Sequence, residues 1–137
     1  MALRNDLIEI LEDDGVGTYE VDIFVGRKAR IPTGDGPYWS IILTGGYAPD
    51  YIQNDADPAY QHPGAQFTCR AKDPIEAETG ARMAYKAVAK VTNLVVSGGV
   101  RYLRIRPIQE PFDLGDDDAG RSRWSFNVTV EKTPSVA

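Results

Sequence analysis

Apolar residues recur along the chain with two periods, one helical and one extended. Leu3, Leu7, Ile10 and Leu11 fall at i, i+4, i+7 and i+8. This is the stripe of a short amphipathic helix over residues 3–12, which Gly15 and Gly17 bring to an end. Tyr19, Val21, Ile23 and Val25 then alternate with Glu20 and Asp22, predicting a half-buried strand. The run Trp39, Ile41, Ile42, Leu43 lacks alternation and predicts a central strand covered on both faces. A third strand over 65–71 has Phe67, Cys69 and Ala71 alternating with Gln66, Thr68 and Arg70.

The clearest local signal follows, in KDPIEAETGARMAYKAVAKVTN. Asp73 is a good N-cap, Pro74 suits the first helical position, and Glu76 completes a capping box. Ala77, Ala81, Ala84, Tyr85 and Val88 share one helix face; Glu76, Thr79, Arg82, Lys86 and Lys90 share the other. Gly80 within this helix costs up to about 1 kcal/mol relative to Ala, which a tight approach to a neighbouring element would explain. After the turn SGGV, residues 101–112 predict a fourth strand. Leu103 and Ile105 point one way and Tyr102, Arg104 and Arg106 the other, and Pro107 marks an edge or a bulge. Trp124, Phe126, Val128 and Val130 alternate with Ser125, Asn127 and Thr129 in a last strand.

The predicted order is α-β-β-β-α-β-β, an α+β fold whose mostly antiparallel sheet carries its helices on one face. Residues 1–132 are expected to form a single domain, with 133–137 a flexible C-terminal tail. Residues 45–64 show neither period. They hold three prolines, three glycines and the tyrosines Tyr47, Tyr51 and Tyr60, and predict a long loop. Such loops are uncommon inside compact domains unless functional or disordered. Tyrosines on it suit a contact surface, since they supply large area at low entropic cost. An Ω-like loop packed on its own tyrosines is the compatible alternative.

Length and composition narrow the function classes. At 137 residues the chain can bury a core without disulfides or a structural metal. The net charge of −5 opposes nucleic-acid binding driven by phosphate neutralisation. No apolar run approaches the roughly 20 residues of a membrane span, and the acidic, amphipathic N-terminus resembles neither a signal nor a transit peptide. The expected setting is the cytoplasm, or a particle assembled there.

Catalytic motifs are scarce. Cys69 and His62 are the sole cysteine and histidine, too few ligands for a zinc site. A Cys69–His62 dyad conflicts with a cysteine facing inward on a strand. The glycines at 34–36 and 45–46 match no phosphate-binding loop. No cofactor is expected. Asp116, Asp117 and Asp118 invite a calcium reading, but a loop starting at Asp116 would put Gly120, Arg121 and Asn127 at its fifth, sixth and twelfth positions, where an oxygen ligand, Gly and Glu are needed. A turn between antiparallel strands fits better, bracketed by Gly115 and Gly120 and partly neutralised by Arg121 and Arg123; weak cation binding stays open beside it. Arg101, Arg104 and Arg106 with Tyr102 make a basic-aromatic face, and Arg27, Lys28 and Arg30 a basic turn. Such a face can bind single-stranded nucleic acid, though a solvated or subunit-facing surface is commoner.

The ordered series LRNDLIEILEDDGVGTYEVDIFVG, YWSIILTGGYAP, PGAQFTCRAKDPIEAETGARMAYKAV and RIRPIQEPFDLGDDDAGRSRWSFNVTVEK resembles the minor capsid and tail-completion proteins of long-tailed bacteriophages, and among them the tail terminators. The resemblance covers nearly the whole chain and rests on the order of its segments. It implies a homo-oligomeric ring, typically a hexamer, at the head-proximal end of the tail tube. That ring would end tube polymerisation and join the head-tail connector, with genome DNA passing through its lumen without specific binding. It implies a structural virion protein at the tail-head junction, assembled in the host cytoplasm, with no catalytic motif. On this reading Tyr47, Tyr51, Tyr60, His62, Arg101, Arg104, Arg106, Asp116, Asp117, Asp118 and Arg121 are candidate assembly contacts. The alternatives are another neck or connector component, a small nucleic-acid-binding module using the 101–106 face, and, third, an enzyme using Cys69 and His62.

Overall fold

A computed structural model describes residues 2–26, 30–51 and 58–134. The order along the chain is α1 (Ala2–Asp13), β1 (Ile23–Val25), β2 (Tyr38–Tyr51), β3 (Pro58–Ala71), α2 (Pro74–Ala89), β4 (Thr92–Val95), β5 (Arg101–Pro107), β6 (Phe112–Asp116) and β7 (Ser122–Lys132). The predicted α-β-β-β-α-β-β order holds, elaborated by the short strands β4 and β6. The sheet runs β1-β2-β3-β7-β5-β4, with β6 also on β7. Every pairing between these strands is antiparallel except β1 with β2.

The first helix forms as its stripe dictates. Leu3, Leu7, Ile8, Ile10 and Leu11 are all buried. Gly15, with φ +77°, closes the helix, and the Val16 N–H returns to the Leu11 carbonyl as in a Schellman end. The second helix starts at its cap, where the Glu76 N–H donates to Asp73 Oδ1 at 2.9 Å. Ala77, Ala81, Ala84, Ala87 and Val88 bury its Ala-rich face, and α2 lies across β3 and β7. The expected tight approach at Gly80 is present: a Cβ there would overlap Cys69 Sγ and sit 3.3 Å from Trp39 Cζ2. Trp39 Nε1 donates to the Gly80 carbonyl at 2.8 Å. Below α2, Phe67 and Phe126 are paired across β3 and β7 and stack at 5.1 Å, with Tyr85 edge-on to Phe126 at 5.5 Å. Aromatic pairs of this kind contribute about 0.5–1.5 kcal/mol beyond their buried area.

Several expectations need correction. The strand read over residues 19–25 shrinks to Ile23–Val25, because the Thr18 carbonyl accepts the N–H groups of Val21, Asp22 and Ile23 and makes a turn. Glu20 has φ +67° and Val21 is 61% exposed. The segment read as a long loop over 45–64 is largely a β-hairpin arm. β2 runs to Tyr51 and β3 begins at Pro58, with Tyr47 opposite His62 and Asp50 opposite Tyr60. Three register irregularities between Thr44 and Tyr51 erase the alternation that would have announced it. At its base the backbones run so close that a Cβ at Gly46 would run into the His62 carbonyl. β2 is an interior strand, between β1 and β3, but its two faces are not equally covered: Trp39 and Ile41 are in the core and Ile42 is half-buried.

A further correction concerns Tyr102. A register shift between Tyr102 and Arg104 turns the tyrosine into the core, where its hydroxyl donates to the buried Asp6 carboxylate at 2.6 Å. The buried Lys132 completes this polar pocket under α1 and donates to the Thr133 carbonyl. Burial pushes the Lys132 ammonium below its usual range, and the Asp6 carboxylate pulls it partly back. The expected tail is tied down at its start: the Thr133 N–H donates to the Arg101 carbonyl, and Thr133 Oγ1 accepts from the Arg101 N–H. Residues 135–137 lie outside the described residues.

Candidate assembly surface

The helices cover one face of the sheet, and the chemistry that could meet a partner lies on the other. Strand pairing brings Arg70 opposite Arg123, Thr68 opposite Ser125, Gln66 opposite Asn127, Arg106 opposite Thr129 and Arg104 opposite Glu131. Ser125, expected to face outward, is fully buried here. Its hydroxyl donates to the Phe67 carbonyl at 2.8 Å and lies 3.1 Å from Thr68 Oγ1.

One end of this face is closed by the chain itself. Arg70 donates to the Pro32 carbonyl and lies over the Tyr38 ring at 5.5 Å. Arg121 donates to the carbonyls of Thr33 and Gly34. Both guanidinium groups converge on Asp117, Arg121 at 3.1 Å and Arg70 at 3.9 Å. Asp117 Oδ1 also accepts the N–H groups of Ala119 and Arg121. The Arg121 N–H, followed by the Ala119 N–H and the two arginines, holds the Asp117 carboxyl below the usual carboxylate range, against a desolvation that raises it. Gly120, with φ +79°, completes the turn between β6 and β7. The three aspartates therefore divide: Asp117 is the internal fastener of a β-hairpin turn. Asp116 accepts from the Ser122 hydroxyl and stays exposed, and Asp118 is exposed.

The other end is open. A groove of about 330 Å³ is lined by His62 of β3, Arg104, Arg106, Pro107 and the following Ile108, and Thr129 and Glu131 of β7. Arg104 pairs with Glu131 at 3.2 Å. The exposed Arg106 guanidinium has no ion pair or hydrogen bond among the described residues, and Ile108 beside it is 61% exposed. The groove exists because β5 and β6 lie along the same side of β7 as one interrupted strand, kinked between Pro107 and Pro111. The Ile108 N–H donates to the Asn127 carbonyl, and Gln109 Oε1 accepts the Asn127 N–H.

Three of the sequence-predicted contacts, His62, Arg104 and Arg106, thus meet in one groove. Arg101 does not join them; it is held toward β4 by Asn93 Oδ1 at 2.7 Å. Tyr102 leaves the predicted basic-aromatic face for the core. Asp116, Asp117, Asp118 and Arg121 gather at the opposite end of β7. Tyr60 is exposed on β3; Tyr47 and Tyr51 belong to the backbone of β2, and their side chains lie outside the described residues, as do Arg27 and Lys28. Sequence reasoning missed Thr129, Glu131 and Ile108. The outward positions of the last strand were a signal for the first two, whereas Ile108 required knowledge of the kink. Cys69 and His62 face opposite sides of β3, and burial pushes the Cys69 thiol up to about 12, so the two do not form a dyad. Among the described residues no group of three or more His, Cys, Asp or Glu is placed to share a metal ion, and no helix is long and apolar enough to cross a membrane.

A family model described as bacteriophage tail terminator protein matches residues 10–134. No curated protein matches the chain. The matched span includes every strand, α2, the arm and the open groove. The chain therefore belongs to the bacteriophage tail terminator family and is a structural protein of the phage tail and a component of the virion.

Proposed function

We propose that the chain assembles into a ring, of six copies in the manner the resemblance implies, at the head-proximal end of the tail tube. There it ends tube polymerisation and offers the surface that the head connector joins. The family match over residues 10–134 carries this reading. The fold supports it with surfaces suited to docking: an arm that extends past the last β3–β7 pair, Gln61 with Lys132, and an open groove whose Arg106 has no ion pair among the described residues. An isolated two-stranded ribbon is marginally stable in water, so the arm is a segment that a partner would stabilise. The protein acts through these surfaces rather than by catalysis, with the tube protein and a neck protein as partners.

The test is phage assembled without this chain, imaged by electron microscopy. Overlong tails that lack heads are expected. Tails of normal length that fail to join heads would assign the chain to the connector side of the neck instead. Normal tails joined to heads would overturn both.

A further inference from the structure

We infer that the open groove around Arg104, Arg106 and Ile108 receives the β6–β7 tip of a second copy of this chain. The tip presents Leu114, 39% exposed, and the exposed carboxylates of Asp116 and Asp118. The groove offers the matching set, an apolar wall of Pro107 and Ile108 beside two guanidinium groups. Glu131 lies in the groove but is paired with Arg104, which leaves Arg106 without a carboxylate partner among the described residues. Asp118 has no ion pair or hydrogen bond among the described residues, and Asp117 is engaged by its own turn and by Arg70.

One chain cannot bring these two surfaces together. Asp116 stands opposite Ser122 and Arg106 opposite Thr129, and that stretch of β7 spans about 23 Å at about 3.3 Å per residue. The tip projects away from the groove, beyond the reach of an arginine side chain. Two different, complementary surfaces at opposite ends of one strand make a head-to-tail contact, the kind that closes rings when the rotation per copy permits. The inference rests on the ring reading and assigns it specific residues.

The experiment is a charge-reversal set on the full chain, with self-association followed by light scattering over a range of concentrations and folding checked by circular dichroism. Arg106→Glu and Asp118→Arg are both exposed changes that remove no ion pair or hydrogen bond among the described residues. Each alone is expected to weaken association by about a hundredfold or more, since a like-charge pair at an interface costs several kcal/mol. The double variant Arg106→Glu/Asp118→Arg is expected to recover most of the loss, as is an equimolar mixture of the two single variants. Single variants that assemble like the parent would overturn this contact while leaving the ring intact. Single variants that fail with no recovery in the double variant or the mixture would also overturn it. A parent chain that stays monomeric at every concentration would overturn the ring reading and the contact together.

Discussion

Gly80 shows how one missing methyl group can set the distance between two layers. A glycine inside a helix costs about 1 kcal/mol relative to alanine, yet alanine here would overlap the Cys69 sulfur. Overpacking of this kind typically costs about 1–3 kcal/mol, so the steric term outweighs the propensity gain. Gly80→Ala is expected to destabilise the fold by about 1–3 kcal/mol in urea denaturation. In the Cys69→Ala background, where the sulfur is gone, the same change is expected to cost much less. Equal costs in the two backgrounds would show that the contact does not govern the packing. Asp117 is the second residue with a defined consequence. Its carboxyl is held below its unfolded value, so its contribution is present above about pH 4 and fades as pH falls through the depressed folded value. Asp117→Ala should therefore lower stability at neutral pH, and the gap from the parent should narrow steadily below about pH 4. A deficit independent of pH would show that the carboxylate charge is not what fastens the turn.

Among the elements, the arm departs furthest from its sequence. The helices were legible because their signals are local: the stripe from Leu3 to Leu11, and the Asp73–Pro74–Glu76 start followed by an Ala-rich face. The core strands were legible because Phe67 and Cys69, or Phe126 and Val128, alternate without interruption. The arm was not, since its prolines, its glycine crossing at Gly46 and Gly64, and its repeated register shifts remove the period of two while leaving the hairpin intact. β4 escaped notice for a different reason: all four of its residues are exposed, so no buried face marks it. The ribbon beyond Gln61 has one strand neighbour where the paired core of β3 has two. Hydrogen exchange in the isolated chain is accordingly expected to be at least about tenfold faster at Tyr60 than at Phe67, with protection rising on assembly. Equal protection in the free chain would mean that the arm is already fully supported.

At the scale of the whole molecule, the sequence disclosed the fold class and the family, but not which of the candidate residues the fold brings together. Alternation over 102–106 predicts Tyr102 on one face with Arg104 and Arg106, and the register shift after Tyr102 breaks it. That shift exchanges a surface tyrosine for a buried hydrogen bond to Asp6, which no local pattern signals because the partner is 96 positions away. Asp117 and Asp118 lie in the predicted connection while Asp116 ends β6, and only the structure separates the internally bound Asp117 from its exposed neighbours. In the proposed ring, the net charge of −5 would favour free passage of DNA, because like charge disfavours retention of phosphate. Duplex DNA is expected to bind only at low ionic strength, with affinity falling steeply as salt rises. Retention at physiological salt in a filter-binding or fluorescence assay would contradict free passage.

The thiol of Cys69 lies sealed beneath Gly80, with its proton held up to about 12. Toward maleimides and other thiol reagents at neutral pH, the folded chain is expected to react as though it contained no cysteine. A single cysteine introduced at the arm or at the β6–β7 tip would then be the only reactive position. Each location could carry a dye or spin label without altering the native sequence elsewhere, and the distances between labelled copies would trace the geometry of the assembled particle.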